Sequence, residues 1–203
     1  MTYKLDMTMM FAMHDALRRE LERIARVAAR PGDDPRQALR TAVGWELFKT
    51  FLLVHHTAED LAIWPVMRRE LSGDDLLLLD AMESEHAAID PLLESMDAAL
   101  TDREHGLERL GGLVDALVTK LGGHLRHEES EGLPLIDATL TEEQWRRFGE
   151  VHRERVGADG PRYLPWVLDG RDPAPILGRM PAAIREAYRD EWRPAYDRLT
   201  LYP

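Results

Sequence analysis

Two histidine–glutamate pairs are the part of this sequence best able to do chemistry. His55 and Glu59 stand four residues apart, as do His124 and Glu128. On a helix that spacing puts both side chains on one face, a turn apart, where they can reach a common point as two ligands of one metal site must. One His-x-x-x-Glu is unremarkable in a charged helix. Here the whole frame recurs: His124, Glu128 and Pro134 each follow His55, Glu59 and Pro65 by 69 residues, and an acidic residue follows the glutamate in both copies. His14 and His86 precede the two pairs by similar separations, 41 and 38 residues, each within an apolar helical stripe.

The candidate ligands are therefore His14, His55, Glu59, His86, His124 and Glu128. Burying two carboxylates and four imidazoles in an apolar core without partners costs several kcal/mol per charge. A pair of metal ions removes that objection, since glutamates from two helices can bridge the ions while two imidazoles hold each outer side. The chain has no cysteine. Ligation by nitrogen and oxygen alone suits iron and, less specifically, manganese or zinc.

A single histidine on an apolar stripe is ordinarily a core residue bonded to a neighbour, and the other histidines are read that way or as solvated. His56 and His127 are rotated off the ligand face, by about 100° for the residue next to His55. The register His56–Asp60 and His127–Glu131 keeps the same spacing but points away from the apolar stripe. His105 and His152 are expected in solvent, and Met7, Met9, Met10 and Met13 are expected to serve in packing.

These residues need helices to hold them. Met10, His14, Leu17, Leu21, Ile24 and Ala28 recur at helical spacing from about Thr8 to Ala29, ending in the turn-rich Arg30 to Pro35. A second helix is expected from Pro35 to about Leu71, facing inward with Phe48, Phe51, Leu52, His55, Glu59 and Ile63 and bent by Pro65. A third runs from about 75 to 100 with Leu79, Met82, His86, Ile89, Leu93 and Met96 on its stripe, and Pro91 is expected to kink it. The fourth carries Leu110, Leu113, Leu117, Leu121, His124 and Glu128; its pairs Gly111-Gly112 and Gly122-Gly123 suggest close backbone approach. Short connections make these helices two matching hairpins, and hence an all-α, up-down-up-down four-helix bundle.

Residues 1–140 form the expected bundle and 141–203 a helical extension packed on it. Thr141-Glu-Glu-Gln144 fits a capping box for a fifth helix over about 142 to 156. Beyond it the chain carries seven of its twelve prolines, with Tyr163, Trp166, Tyr188, Trp192, Tyr196 and Tyr202 and one expected helix at about 182 to 192. No tyrosine lies on the inward face of a ligand helix.

With 203 residues, 44% hydrophobic and 31% charged, the chain can bury a sizeable core. A net charge of −11 gives no support to nucleic-acid binding. No run of eighteen apolar residues offers a membrane span, and the first residues do not read as a cleaved leader, so a cytoplasmic location is expected.

The ordered set of His14, His55 with Glu59, His86, and His124 with Glu128 resembles the hemerythrin-like, or HHE cation-binding, family over about residues 8 to 140. The resemblance implies a non-haem centre of two iron ions with an oxo or hydroxo bridge, Glu59 and Glu128 as bridging ligands, His14 and His55 on one iron and His86 and His124 on the other. Oxygen-carrying hemerythrins have a histidine four residues along the third helix, where this chain has Asp90, and their last motif ends in aspartate at a longer spacing. One fewer histidine implies more open coordination positions and reaction with oxygen, peroxide or nitric oxide rather than reversible carriage. The related di-iron protein that repairs iron centres carries a cysteine-bearing segment, so its activity is not implied here. The expected partner is a small diatomic or peroxide ligand. The function is sensing, or turnover as a peroxidase-like, catalase-like or nitric-oxide-consuming enzyme; the alternative is iron storage or a structural metal.

Overall fold

The computed structural model describes residues 3–30 and 34–203. Met1 and Thr2 at the start, and Pro31–Asp33 of the expected turn, lie outside the described residues. Among those described there is no strand. The helices begin with α1 (Thr8–Ala28), α2 (Pro35–Arg40), α3 (Val43–Ala62), α4 (Trp64–Glu70), α5 (Asp74–Thr101) and α6 (Gly106–His127). A wide π turn over Glu128–Gly132 then leads into α7 (Leu133–Thr139).

α1 and α5 each pack against both α3 and α6, which closes a ring of four long helices. The candidate ligands fall early in α1 and α5 and late in α3 and α6, yet they meet at one level. Alternate helices must therefore run in opposite directions, as an up-down-up-down bundle requires.

The expected single helix from Pro35 to Leu71 is three helices. Asp34 caps α2 by accepting from the Arg36 N–H, and Ala42 then turns to an extended conformation with ψ 117°. A second break falls at Ile63, after which Pro65 occupies the first turn of α4. Proline has no N–H to give the preceding turn, so the helix restarts just beyond Glu59. The second motif copy answers its own proline differently: the π turn before Pro134 absorbs the lost hydrogen bond without stopping the helix. α5 runs through Pro91 as one helix.

The apolar interior is divided in two. One cluster includes Leu17, Ile24, Phe48, Phe51, Ile89, Leu117 and Leu121; the other includes Met10, Ile63, Trp64, Met67, Met82, Leu133 and Ile136. On all four long helices the boundary between them falls at the candidate ligands. The polar site is thus a layer sandwiched between two dry cores.

After α8 (Glu142–Val156) come α9 (Gly160–Val167), α10 (Ala174–Leu177), α11 (Ala182–Ala187) and, through a second π turn at Tyr188–Trp192, α12 (Arg193–Asp197). The capping box at Thr141 and Gln144 is present. The expected helix at 182–192 is therefore a short helix plus a wide turn, again just ahead of a proline, Pro194, and α9 was not foreseen. α8 lies along α3, and α9 packs on α1 and α3. Trp166 is fully buried against Phe51. Arg19 clasps the end of α9 through the carbonyls of Trp166 and Asp169, and buried Glu20 receives Arg19, Arg23 and the Tyr202 hydroxyl.

Close approaches require glycine at several places. A Cβ at Gly106 would strike the Ala99 carbonyl oxygen, one at Gly44 would strike the Tyr202 ring, and one at Gly132 would meet the Glu128 Cγ at 3.1 Å. The close approach expected at Gly111, Gly112, Gly122 and Gly123 is not observed: a side chain at the first two and the last would project into open space, and at Gly122 would meet only the Arg126 guanidinium at 3.6 Å. These four lie on α6 away from any tight neighbour.

Candidate metal centre

All six sequence-predicted residues converge. His14, His55, Glu59, His86, His124 and Glu128 are buried, and the glutamates are wholly so. The imidazoles pair across the bundle: His14 Nε2 stands 3.1 Å from His55 Nε2, and His86 Nε2 stands 3.1 Å from His124 Nε2. Between the pairs lie the two carboxylates. Glu59 Oε1 is 3.4 Å from His55 Nε2, and its Oε2 is 3.5 Å from His86 Nε2. Glu128 Oε2 is 3.2 Å from His14 Nε2 and 3.7 Å from His124 Nε2. Each glutamate therefore reaches one histidine of its own hairpin and one of the other.

The outer ring nitrogens explain the orientation. Glu129 takes His14 Nδ1 at 2.9 Å, Asp60 takes His86 Nδ1 at 3.1 Å, and Glu85 takes His124 Nδ1 at 3.0 Å. A carboxylate on Nδ1 fixes the tautomer that leaves the Nε2 lone pair facing inward, an arrangement typical of metal-binding histidines. Arg18 grips Glu129 with two hydrogen bonds at 2.8 and 2.7 Å. His127, expected off the site, joins Glu85 at 2.8 Å and so shares the carboxylate that holds His124.

Two of these partners cross between hairpins. Asp60, directly after Glu59, orients the lone histidine of the second hairpin; Glu129, directly after Glu128, orients that of the first. The signal was present in the repeat, where an acid follows each glutamate, but its target is set only by the packing.

The electrostatics of the layer are those of crowded, buried titratable groups. Burial pushes the Glu59 carboxyl well above the usual range, with Glu128 and Asp60 adding to it. Burial also drives His55 and His56 well down, reinforced by neighbouring imidazoles, and lowers His124. His14 goes the other way. Its burial is outweighed by Glu128 and Glu129, which raise it to about 9. Glu128 is lowered despite burial by His14 and its neighbours. Two Nε2 lone pairs 3.1 Å apart repel unless a proton or a metal lies between them.

The donor set passes a direct test of fit to metal. All four carboxylate oxygens of Glu59 and Glu128 are buried without a hydrogen bond among the described residues. Orphaned oxygens of this kind cost several kcal/mol unless a cation satisfies them. The potential donor atoms form two groups, each with all its members within 4.8 Å of one another: His14, His55, Glu59 and Glu128 in one, and His56, His86 and His124 in the other.

His56 is the residue that sequence reasoning misplaced. It is 4% exposed, its Nε2 has no partner, and its ring stacks on His86 with centroids 3.9 Å apart and planes 11° apart. Three imidazoles, not two, occupy that end of the centre. His152 was expected in solvent but is largely buried between Tyr163 and His55, and burial lowers it to about 4. His105 is exposed, as expected. Asp90 is exposed at the rim and belongs to neither group.

A family model described as the hemerythrin HHE cation-binding domain matches residues 6–136. The chain belongs to that family. The match spans the four-helix bundle and includes every one of the converging residues, so cation binding is the property that the family description and the buried His/Glu layer share. No curated protein and no solved structure matches this hemerythrin-like chain. No helix among the described residues is long and apolar enough to cross a membrane.

Proposed function

We propose that this hemerythrin-like protein is a non-haem di-iron protein that binds or reacts with small oxidants, namely oxygen, peroxide or nitric oxide, in sensing or detoxification. The observation that carries the reading is the crossed placement of the carboxylates, each within 3.7 Å of one histidine from either pair. His14 and His55 would hold one iron, His86 and His124 the other, and Glu59 and Glu128 would bridge them. Nitrogen–oxygen ligation favours iron over the softer alternatives, with manganese or zinc as substitutes. Iron held there supplies one-electron redox chemistry and exchangeable positions for a small ligand.

The remaining work falls to the chain itself. Glu129, Asp60 and Glu85 hold three imidazoles with Nε2 inward, and Arg18 fixes Glu129 in turn. Buried Met13 and Phe51 belong to the apolar core on one side of the layer, and buried Ile63 and Trp64 to the core on the other. In this reading residues 1–140 form the metal-binding bundle and 141–203 an extension that covers the outer side of α1 and α3.

Metal analysis with the visible spectrum is the first test. Close to two irons per chain, with the absorption of a bridged ferric pair, supports the reading; one tightly held zinc sinks it. Stopped-flow mixing of the reduced protein with oxygen, nitric oxide or peroxide should then change the iron spectrum. An inert spectrum in all three would leave iron handling or a structural metal as the function.

A further inference from the structure

Beside His86 the surface opens into a pocket of about 370 Å³ lined by Leu53, His56, Asp60, Trp64, His86 and Asp90, with Glu83 at its edge. His56 and His86 form its inner wall, so the pocket leads from solvent to the His86–His124 end of the centre. The His56 Nε2 is buried there and has no partner among the described residues. A buried ring nitrogen left without a partner carries a cost of about 1–3 kcal/mol; in the tautomer with the proton on Nε2, an incoming acceptor would relieve it.

The stacking decides what His56 can do. Imidazole binds a metal along a lone pair in its own ring plane, at roughly 2.1 Å. The His56 and His86 planes are nearly parallel with centroids 3.9 Å apart. An ion in the plane of His86 lies a full stacking distance from the plane of His56, beyond ligand reach. His56 therefore addresses the layer beside the metal rather than the metal itself. We propose that this pocket is the binding site for the external ligand, and that His56 Nε2–H donates a hydrogen bond to that ligand at the His86–His124 end. The acidic rim of Asp60, Glu83 and Asp90 selects a neutral small molecule with an acceptor atom, such as nitric oxide, oxygen or hydrogen peroxide, over an anion. The inference rests on the di-iron reading, and its test separates the two.

The experiment uses the full chain loaded with iron and reduced, with nitric oxide as the probe. His56→Leu should retain two irons per chain and the same number of histidine scatterers by X-ray absorption, while nitric oxide dissociates about tenfold faster. His56→Gln, which restores a donor, should bring the rate back toward that of the unmodified protein. Asp90→Asn should tighten azide binding several-fold and leave nitric oxide unaffected. Loss of an iron from His56→Leu would make His56 a ligand and overturn the inference. Retained iron with an unchanged nitric oxide rate would reduce it to packing, and unchanged azide affinity in Asp90→Asn would reject the pocket as the route. If the unmodified chain holds no metal pair, the di-iron reading itself fails, a different result from any of these.

Discussion

The two ends of the metal layer come from a duplicated motif, yet they are finished differently. At the His14–His55 end no carboxylate lies on the outer nitrogen of His55 among the described residues; the C-terminal helices cover it, with His152 6.5 Å from the His55 ring, centre to centre, and Tyr163 behind. The carboxylate on His14 is itself locked by Arg18. At the His86–His124 end both outer nitrogens meet carboxylates near the surface, and two pockets, of about 370 and 250 Å³, reach the histidines from outside. One end is sealed and the other approachable. A sequence repeat thus supplies the matched His/Glu pairs, while unrepeated residues cover one end and leave the other open to the surface.

The largest effects should come from the residues that belong to both ends. Glu59→Ala or Glu128→Ala is expected to take metal content from two per chain to below one. A variant that keeps one full metal would show that its glutamate serves a single end, and the crossed arrangement would be wrong.

Removing the outer carboxylates should come next and should separate the ends. Glu129→Ala and Glu85→Ala are each expected to weaken metal binding roughly 10–100-fold in chelator competition. Glu129 should be the more costly, because Arg18 holds it while Glu85 is shared with His127. The reverse order would mean that the sealed end is not the better organised.

Titration offers a third probe, confined to the sealed end. His152 titrates near 6.5 when unfolded, and burial lowers it to about 4. Between those values the unfolded chain holds a proton that the folded chain does not. Stability should therefore fall as pH drops from about 6.5 to about 4, by about 3 kcal/mol from this residue, and level off below. Thermal melts of His152→Phe across that range should show a shallower loss; an identical slope would place His152 in contact with water. The smallest effect is reserved for His127→Ala, expected within about 0.5 kcal/mol in denaturant unfolding with metal content unchanged.

The convergence of the six residues was legible because a buried His/Glu layer obeys the same periodicity as the apolar stripe it interrupts. Met10, His14 and Leu17 read as one face, and so do Leu121, His124 and Glu128. His56 was not legible for a related reason. The expected inward stripe runs through Phe48, Phe51, Leu52, His55, Glu59 and Ile63, but Leu47, His56, Ala58 and Ala62 are buried too. α3 is enclosed on one flank by α5 and on the other by α8 and α9, so a residue about 100° from its neighbour can still point inward. Nothing in the polar, arginine-rich sequence of α8 announced that His152 would be covered, because the cover is Tyr163 from a helix that prolines concealed. The break at Ala42 was unreadable in the same way: it leaves room for the Gly44 N–H to reach the carbonyl of Leu201, a partner nearly 160 residues downstream.

The π turn at Glu128–Gly132 also fixes a reading register. It holds one residue more than an α-helical turn, so everything after it is rotated by about 100° from where an unbroken helix would place it. Leu133 and Ile136 are fully buried in that phase. Deleting a single residue from the turn, Ser130 for example, would heal the helix locally and leave His124 and Glu128 in step with each other. It would also swing the next two turns off the lower core, so the metal layer would lose its floor while keeping its ligands.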